Sequence, residues 1–215
     1  MKIALIDTGH ANFRSVERAL LAAAQLLPSS TSAQAQVLRT HDPDVIVHCD
    51  KIVVPGQGGF GDCVSGLTTR GLDQVIAERV AAGVSYLGIC LGLQALFESS
   101  AEAPGVVGLA LLPGRCEKLQ TAPDIKIPHM GWNRLELQHG GHPVLEAAGG
   151  NDAWVYFVHS YHAVPRDPAL IKAVVTHGTQ QVTAAVARDN VVATQFHPEK
   201  SQAVGLRLLA AFLRQ

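Results

Sequence analysis

Gly88-Ile89-Cys90-Leu91-Gly92 places one cysteine midway between two glycines. A short apolar run, Val84 to Ile89, leads in, and a helical pattern, Leu91 to Glu98, leads out. This is the spacing of a strand-to-helix elbow, where a sharp turn presents a nucleophile and leaves no room for nearby Cβ atoms. The N-terminus of the following helix favours the thiolate, the form of cysteine that attacks. A buried, inert cysteine closing a core strand has the same local pattern, so the partners of the thiol must decide. His197-Pro198-Glu199 follows a strand pattern, Val191 to Phe196. An imidazole that takes and returns a proton, oriented by a carboxylate, is what a catalytic cysteine needs. Pro198 keeps His197 out of the helical region. The alternative puts His197 and Glu199 at the surface, capping the last helix.

A glycine loop supplies a second candidate chemistry. Gly56, Gly58 and Gly61 satisfy G-x-G-x-x-G directly after a strand pattern, Lys51 to Val54. A dinucleotide site needs a helix opening at the last glycine and an acidic residue closing the next strand. Glu78 falls inside a predicted helix instead, and the loop has no P-loop Lys-Ser/Thr. The favoured reading is a tight turn whose backbone N–H groups can hold a developing oxyanion.

Groups so far apart in sequence need a scaffold that gathers them. Lys2 to Asp7 reads as a buried strand, and Asn12 as the cap of a helix from Phe13 to Leu27. Pro28 to Gln36 is a polar connection, Val37 to Arg39 a short strand, and Asp44 to His48 ambiguous. A helix from Leu72 to Ala82 is stopped by Gly83. Strands alternating with helices imply a parallel sheet covered on both faces, with sites beyond the carboxyl ends of the strands. Asp7, the Pro55–Gly61 loop and Cys90 all stand at such ends. After Glu102 the pattern turns antiparallel, with strands at 115–119, 133–137, 153–159, 171–176, 181–187 and 191–196. Asp189-Asn190 reads as a hairpin turn, Pro143 to Ala147 as a short helical turn, and Ser201 as the N-cap of a closing helix to Leu213.

The 215 residues, 47% hydrophobic and 16% charged, read as a single α/β domain spanning the whole chain. A net charge of -1 gives no case for nucleic acid or an anionic membrane. Cys49, Cys63, Cys90 and Cys116 lack C-x-x-C spacing, so neither a zinc site nor a disulfide framework is expected, and a reducing cytoplasm is the expected setting. Met1-Lys2-Ile3 enters a strand at once, which predicts no signal peptide, and no apolar run reaches membrane-spanning length. No cofactor or metal is implied.

Gly88-Ile-Cys90-Leu-Gly92 with Gln94, together with Phe196-His197-Pro198-Glu199, resembles the class I glutamine amidotransferases. Within them, five segments are similar to the glutaminase subunits of imidazole glycerol phosphate synthases. These are Asp7…Gly9…Asn12-Phe-Arg-Ser15, Pro55-Gly-Gln-Gly-Gly-Phe-Gly-Asp62, Pro128-His-Met-Gly-Trp-Asn133, Tyr156-Phe-Val-His-Ser-Tyr161 and Thr194-Gln-Phe-His-Pro-Glu-Lys-Ser201. The resemblance implies a flavodoxin-like three-layer fold and glutamine hydrolysis through a thioester on Cys90, with His197 as base and then acid and Glu199 orienting it. It implies oxyanion donors at Leu91 and the Gln57-Gly58 region, and glutamine contacts at Gln94, Glu102, Ser160 and Tyr161. The ammonia would pass to a cyclase subunit, a (β/α)8 barrel, met by Lys200, Trp132 and Asn12. Thr8, His10, Gln57 and Ala193 depart from the family's usual residues, outside the Cys-His-Glu set. Two alternatives stand beside this one: another class I glutaminase or γ-glutamyl hydrolase, and a non-catalytic binding subunit. The Met130-Gly-Trp132-Asn133 and Lys200 matches weigh against the first. The presence of Cys90, His197 and Glu199 together weighs against the second.

Overall fold

A computed structural model describes residues 1–9, 12–28, 35–121 and 125–215. The loop at His10-Ala11 and positions 29–34 of the polar connection lie outside the described residues. The first half contains β1 (Lys2–Ile6), α1 (Phe13–Ala24), β2 (Gln36–Thr40), α2 (Pro43–Val47), β3 (Lys51–Gly56), α3 (Phe60–Thr68), α4 (Leu72–Ala81), β4 (Ser85–Cys90) and α5 (Leu91–Gln94). The second half adds β5 (Ser99–Ser100), β6 (Gly114–Lys118), β7 (His129–Arg134), β8 (Glu136–Leu137), α6 (Pro143–Ala148), β9 (Trp154–His159) and β10 (Tyr161–Pro165). It closes with β11 (Ile171–His177), β12 (Gln180–Arg188), β13 (Val191–Thr194) and α7 (Gln202–Arg214).

Among the described residues the main sheet has eight strands in the order β2-β1-β3-β4-β13-β12-β11-β8. Pairing is parallel from β2 to β13 and antiparallel from β13 to β8. The expected mostly parallel sheet with an antiparallel portion is therefore observed. The apolar runs of the first strands follow from burial on both faces. Ile3, Leu5 and Val53 join one core with α1, α6 and α7, while Ala4, Ile6, Ile52 and Val54 join the other with α3 and α4. β10, β6 and β5 form a small separate sheet, and β7 pairs with β9 as a two-stranded ribbon.

Several local expectations need correction. The ambiguous segment is helix α2, capped by the Asp42 side chain with Pro43 at its start. Helix α3 has no counterpart in the sequence reading. It opens beside Gly61, as a dinucleotide fold would require, yet the next strand ends in Cys90 rather than an acidic residue. The helix expected from Leu91 to Glu98 is α-helical only to Gln94. Beyond it the Glu98 N–H bonds to the Gly114 carbonyl, drawing the chain into the small sheet. Ser201 does stand at the N-cap of α7, but its hydroxyl makes no cap bond. It donates to the His197 carbonyl at 2.7 Å and accepts from Tyr156 N–H at 3.0 Å, tying the site to β9.

The elbow rests on three glycines. A Cβ on Gly56 would overlap Leu91, one on Gly88 would overlap the Gly92 carbonyl, and one on Gly92 would overlap the Val54 carbonyl. Backbone cannot swing aside as a side chain can. We expect Gly92→Ala to cost about 3 kcal/mol or more. Gly61→Ala meets only ordinary contact with Ala103, at 3.5 Å, and is expected to be neutral or to gain up to about 1 kcal/mol by helix propensity. Thermal melts of both variants check this, and equal melting temperatures would contradict the packing.

Candidate active site

Cys90 closes β4 with φ 55° and ψ -103°, a conformation that costs a non-glycine residue about 1–3 kcal/mol. The buried main sheet and the glycine contacts hold it there. Cys90 is also the residue at which β4 passes directly into α5, standing at its N-cap. With only four residues, α5 offers a weaker dipole than the sequence reading assumed, so nearby side chains carry more of the electrostatics.

Strand β13 lies beside β4 in parallel, with Thr194 opposite Ile89. The chain beyond Thr194 therefore emerges next to the elbow. His197 and Glu199 are both buried, at 2% and 1% side-chain exposure, and His197 Nδ1 lies 2.7 Å from Glu199 Oε1. The surface-capping alternative for this pair is excluded by that burial. His197 Nε2 is buried with no hydrogen-bond partner that meets full geometry, and the Cys90 thiol is the group that interacts with the ring on the side away from Glu199. Such contacts are often loose in a resting enzyme and tighten around substrate. Burial disfavours the charged ring, yet the interactions with Cys90 and Glu199 outweigh it and raise the His197 pKa to about 9. A raised value means that His197 stabilises the fold fully below about pH 6.5 and that this contribution is lost as the pH rises through 9.

A cavity of about 420 Å³ opens over the thiol, lined by Gln57, Gly58, Cys90, Leu91, Gln94, Glu102, Pro128, Val158, His159, Ser160, Tyr161, His197 and Lys200. Every oxyanion and glutamine-contact candidate from the sequence thus borders one space. Glu102 also has a structural task, since its Oε2 accepts the Phe60 N–H at 2.7 Å and anchors the start of α3. Gln94 is buried, and its Nε2 donates to the Tyr161 carbonyl and to Gln195 Oε1, each at 3.0 Å. Both amide hydrogens are then used, while Gln94 Oε1 has no partner and is free to accept from a ligand N–H. Asp7 does not join this space; its carboxylate turns to Arg39 and to the Gly9 N–H.

The three partner candidates sit at the margin. Lys200 is on the cavity rim, with its Nζ 5.8 Å from the Tyr156 ring. Trp132 is 44% exposed and meets Tyr156 edge-on at 6.0 Å, so it is not a core aromatic. Asn12 caps α1 and borders a small void behind His197 and Glu199.

Sequence reasoning missed a group of side chains next to this cavity. His159 Nδ1 lies 2.8 Å from the Tyr161 carbonyl, which only accepts, so Nδ1 carries the proton. Its Nε2 then accepts from His129 Nδ1 at 3.1 Å, which leaves His129 Nε2 to accept from Asn133 Nδ2 at 3.4 Å. Burial, with His177 nearby, lowers the His129 pKa to about 4, and burial lowers that of His159 to about 3 despite the Tyr161 carbonyl. Folded rings refuse protons that unfolded rings accept below about pH 6.5, so stability falls as the pH drops from 6.5 toward 4. We expect His129→Gln, which can still donate to His159, to lose less stability over that range than the parent chain. Denaturant melts at pH 7, 5.5 and 4.5 check this, and identical pH dependence would contradict it. His129 and His159 are register partners across β7 and β9, a pairing that no local pattern reveals. Gln195 had a signal: it stands two residues before His197 within the Val191–Phe196 strand pattern, although strand β13 itself ends at Thr194.

Residues 4–215 match the family described as glutamine amidotransferase class-I. The chain is 45% identical over 213 residues to imidazole glycerol phosphate synthase subunit HisH of Nostoc punctiforme, covering 99% of this chain and 95% of that protein. It is 47% identical over 218 residues to the subunit of the same name from Methylococcus capsulatus, with coverage of 99% and 95%. Among solved structures, PurLQS from Thermotoga maritima superposes with a TM-score of 0.70 at 19% identity, covering 99% of this chain and 97% of that one. The Trypanosoma brucei CTPS glutaminase domain with bound acivicin gives 0.68 at 17% identity, with coverage of 100% and 94%. These two likenesses establish the fold, and the sequence matches establish kinship: the chain belongs to the class-I glutamine amidotransferase family, on the branch of the HisH subunits of imidazole glycerol phosphate synthase.

Proposed function

We propose that this chain is the glutaminase subunit of an imidazole glycerol phosphate synthase, acting as one domain in the cytoplasm. The observation that carries the reading is the buried His197–Glu199 pair at 2.7 Å, set beside a strained Cys90 at the floor of a cavity. Cys90 thiolate attacks the side-chain carboxamide carbon of L-glutamine and forms a C–S bond. The oxyanion is held by the Leu91 N–H and by an N–H of the Gln57-Gly58 region. The tetrahedral centre collapses with cleavage of the C–N bond, and His197 gives its proton to the departing ammonia. Water then attacks the thioester while His197 takes a proton from it, and glutamate leaves as the thiolate is restored. Glu199 holds the ring in the required tautomer. Gln94 Oε1, Glu102 and the backbone at Ser160-Tyr161 position the amino-acid end of glutamine.

The ammonia passes to a cyclase subunit, a (β/α)8 barrel, which uses it to make imidazole glycerol phosphate and an aminoimidazole carboxamide ribotide. The β7–β9 ribbon supports a partner surface, because Met130, Trp132 and Trp154 are exposed large apolar side chains on it. Lys200 adjoins this surface through Tyr156, and Asn12 borders the void behind His197 and Glu199. The test is co-purification with a candidate cyclase, followed by synthesis from glutamine labelled with 15N at the carboxamide. The label is expected in the imidazole ring, and a pair that associates yet leaves all label as free ammonium overturns the reading.

A further inference from the structure

Gln195 has no role in the chemistry above, although it is fully buried beside the nucleophile. Its Nε2 lies 3.5 Å from Cys90 Sγ, and its Oε1 lies 3.0 Å from Gln94 Nε2. The direction of these bonds is dictated from outside the pair. The Tyr161 carbonyl can only accept, so the Gln94 nitrogen must face it. That nitrogen then presents its second hydrogen to Gln195, which must answer with its oxygen. The Gln195 nitrogen is left pointing at sulfur, and a carboxamide nitrogen only donates. The His159 N–H bonds to the same Tyr161 carbonyl and steadies it.

We propose that Gln195 is a positioning residue that selects the thiolate form of Cys90 and aims it into the cavity. A donor with no acceptor capacity gains from a sulfur anion and little from a thiol. The arrangement also links the cavity to the nucleophile, because Gln94, which lines the cavity and whose Oε1 has no partner, holds Gln195 with the same amide. The proposal rests on Cys90 being the glutaminase nucleophile, yet its readout requires no turnover.

The experiment follows thiolate absorbance near 240 nm against pH, taken as the difference from Cys90→Ser, in the parent chain and in Gln195→Met. The substitution keeps side-chain length and removes the donor. The midpoint of thiolate formation is expected to rise by about one unit, and alkylation of Cys90 at a pH below both midpoints to slow by up to about tenfold, as loss of one charge-assisted hydrogen bond implies. An unchanged midpoint in a folded Gln195→Met chain overturns the proposal. Should that variant fail to fold, the parent chain supplies the answer. The Gln195 side-chain amide protons, followed by NMR, are expected to shift with the Cys90 midpoint, and indifference to it overturns the proposal. If Cys90→Ser retains glutaminase activity, the functional reading fails while the titration still judges Gln195.

Discussion

Replacing Cys90 with serine is expected to abolish glutamine-dependent synthesis by the two-subunit enzyme and to spare synthesis from added ammonium salt. The loss should be about 10³-fold or more, as for removal of a nucleophile from a unit that acts together. Serine fits the volume of the site, and neither the elbow glycines nor the His197–Glu199 bond depends on sulfur. A hydroxyl beside His197 is a far weaker nucleophile than a thiolate at neutral pH. The ammonium-dependent rate is the internal control, since the cyclase needs only ammonia. Glutamate release within a few-fold of the parent rate would remove Cys90 from the nucleophile's place. Glu199→Gln should keep more activity than Cys90→Ser, because in the proposed mechanism Glu199 orients His197 and does not react.

How much of this was legible beforehand depended on whether the cause was local. The elbow was legible because its constraint is local: glycines two residues either side of Cys90 are required by close backbone approach. The parallel sheet was legible because strands buried on both faces must be apolar throughout. Helix α3 was not, since Gly61, Gly66, Val64 and Thr68 give it weak intrinsic propensity. It forms because Phe60, Cys63, Val64 and Leu67 are buried and because Glu102, far along the chain, accepts its first N–H. The early end of α5 likewise depends on a distant carbonyl, that of Gly114. The His129–His159 pair and the bond from Gln195 to Cys90 depend on strand register, which sequence patterns leave open.

The second large effect concerns the partner. The isolated chain is expected to hydrolyse glutamine slowly, and the cyclase with its ligand to raise the rate by about 10²–10³-fold, the worth of one oxyanion donor. Ammonia released without an acceptor is lost by protonation and diffusion, so a donor supplied only in the complex prevents waste. In this proposal the change falls in the glycine loop, though not at every glycine. Gly56 is pressed against Leu91 and is fixed. Gly58, with φ 98° on the cavity wall, is the residue whose neighbouring peptide planes can turn. Lys200 and Trp132 meet at Tyr156, which gives the partner a lever on the rim of the cavity. Lys200→Ala and Trp132→Ala should therefore weaken the stimulation more than they lower melting temperature. Glutamate release is measured from the chain alone, with cyclase, and with cyclase and ligand. A fast rate from the lone chain, unchanged by either addition, would contradict the coupling.

The most direct measurement of the central claim is to treat the complex with an electrophilic glutamine analogue and map the modified peptide. Burial pushes the Cys63 thiol up to about 12 and moves Cys49 and Cys116 upward as well, so none of the three competes as a thiolate near neutral pH. Cys90 alone borders the cavity and faces His197. The account predicts stoichiometric label on Cys90, blocked by excess glutamine and absent from Cys90→Ser. Label on another cysteine, or label on Cys90 that glutamine does not protect, would contradict it.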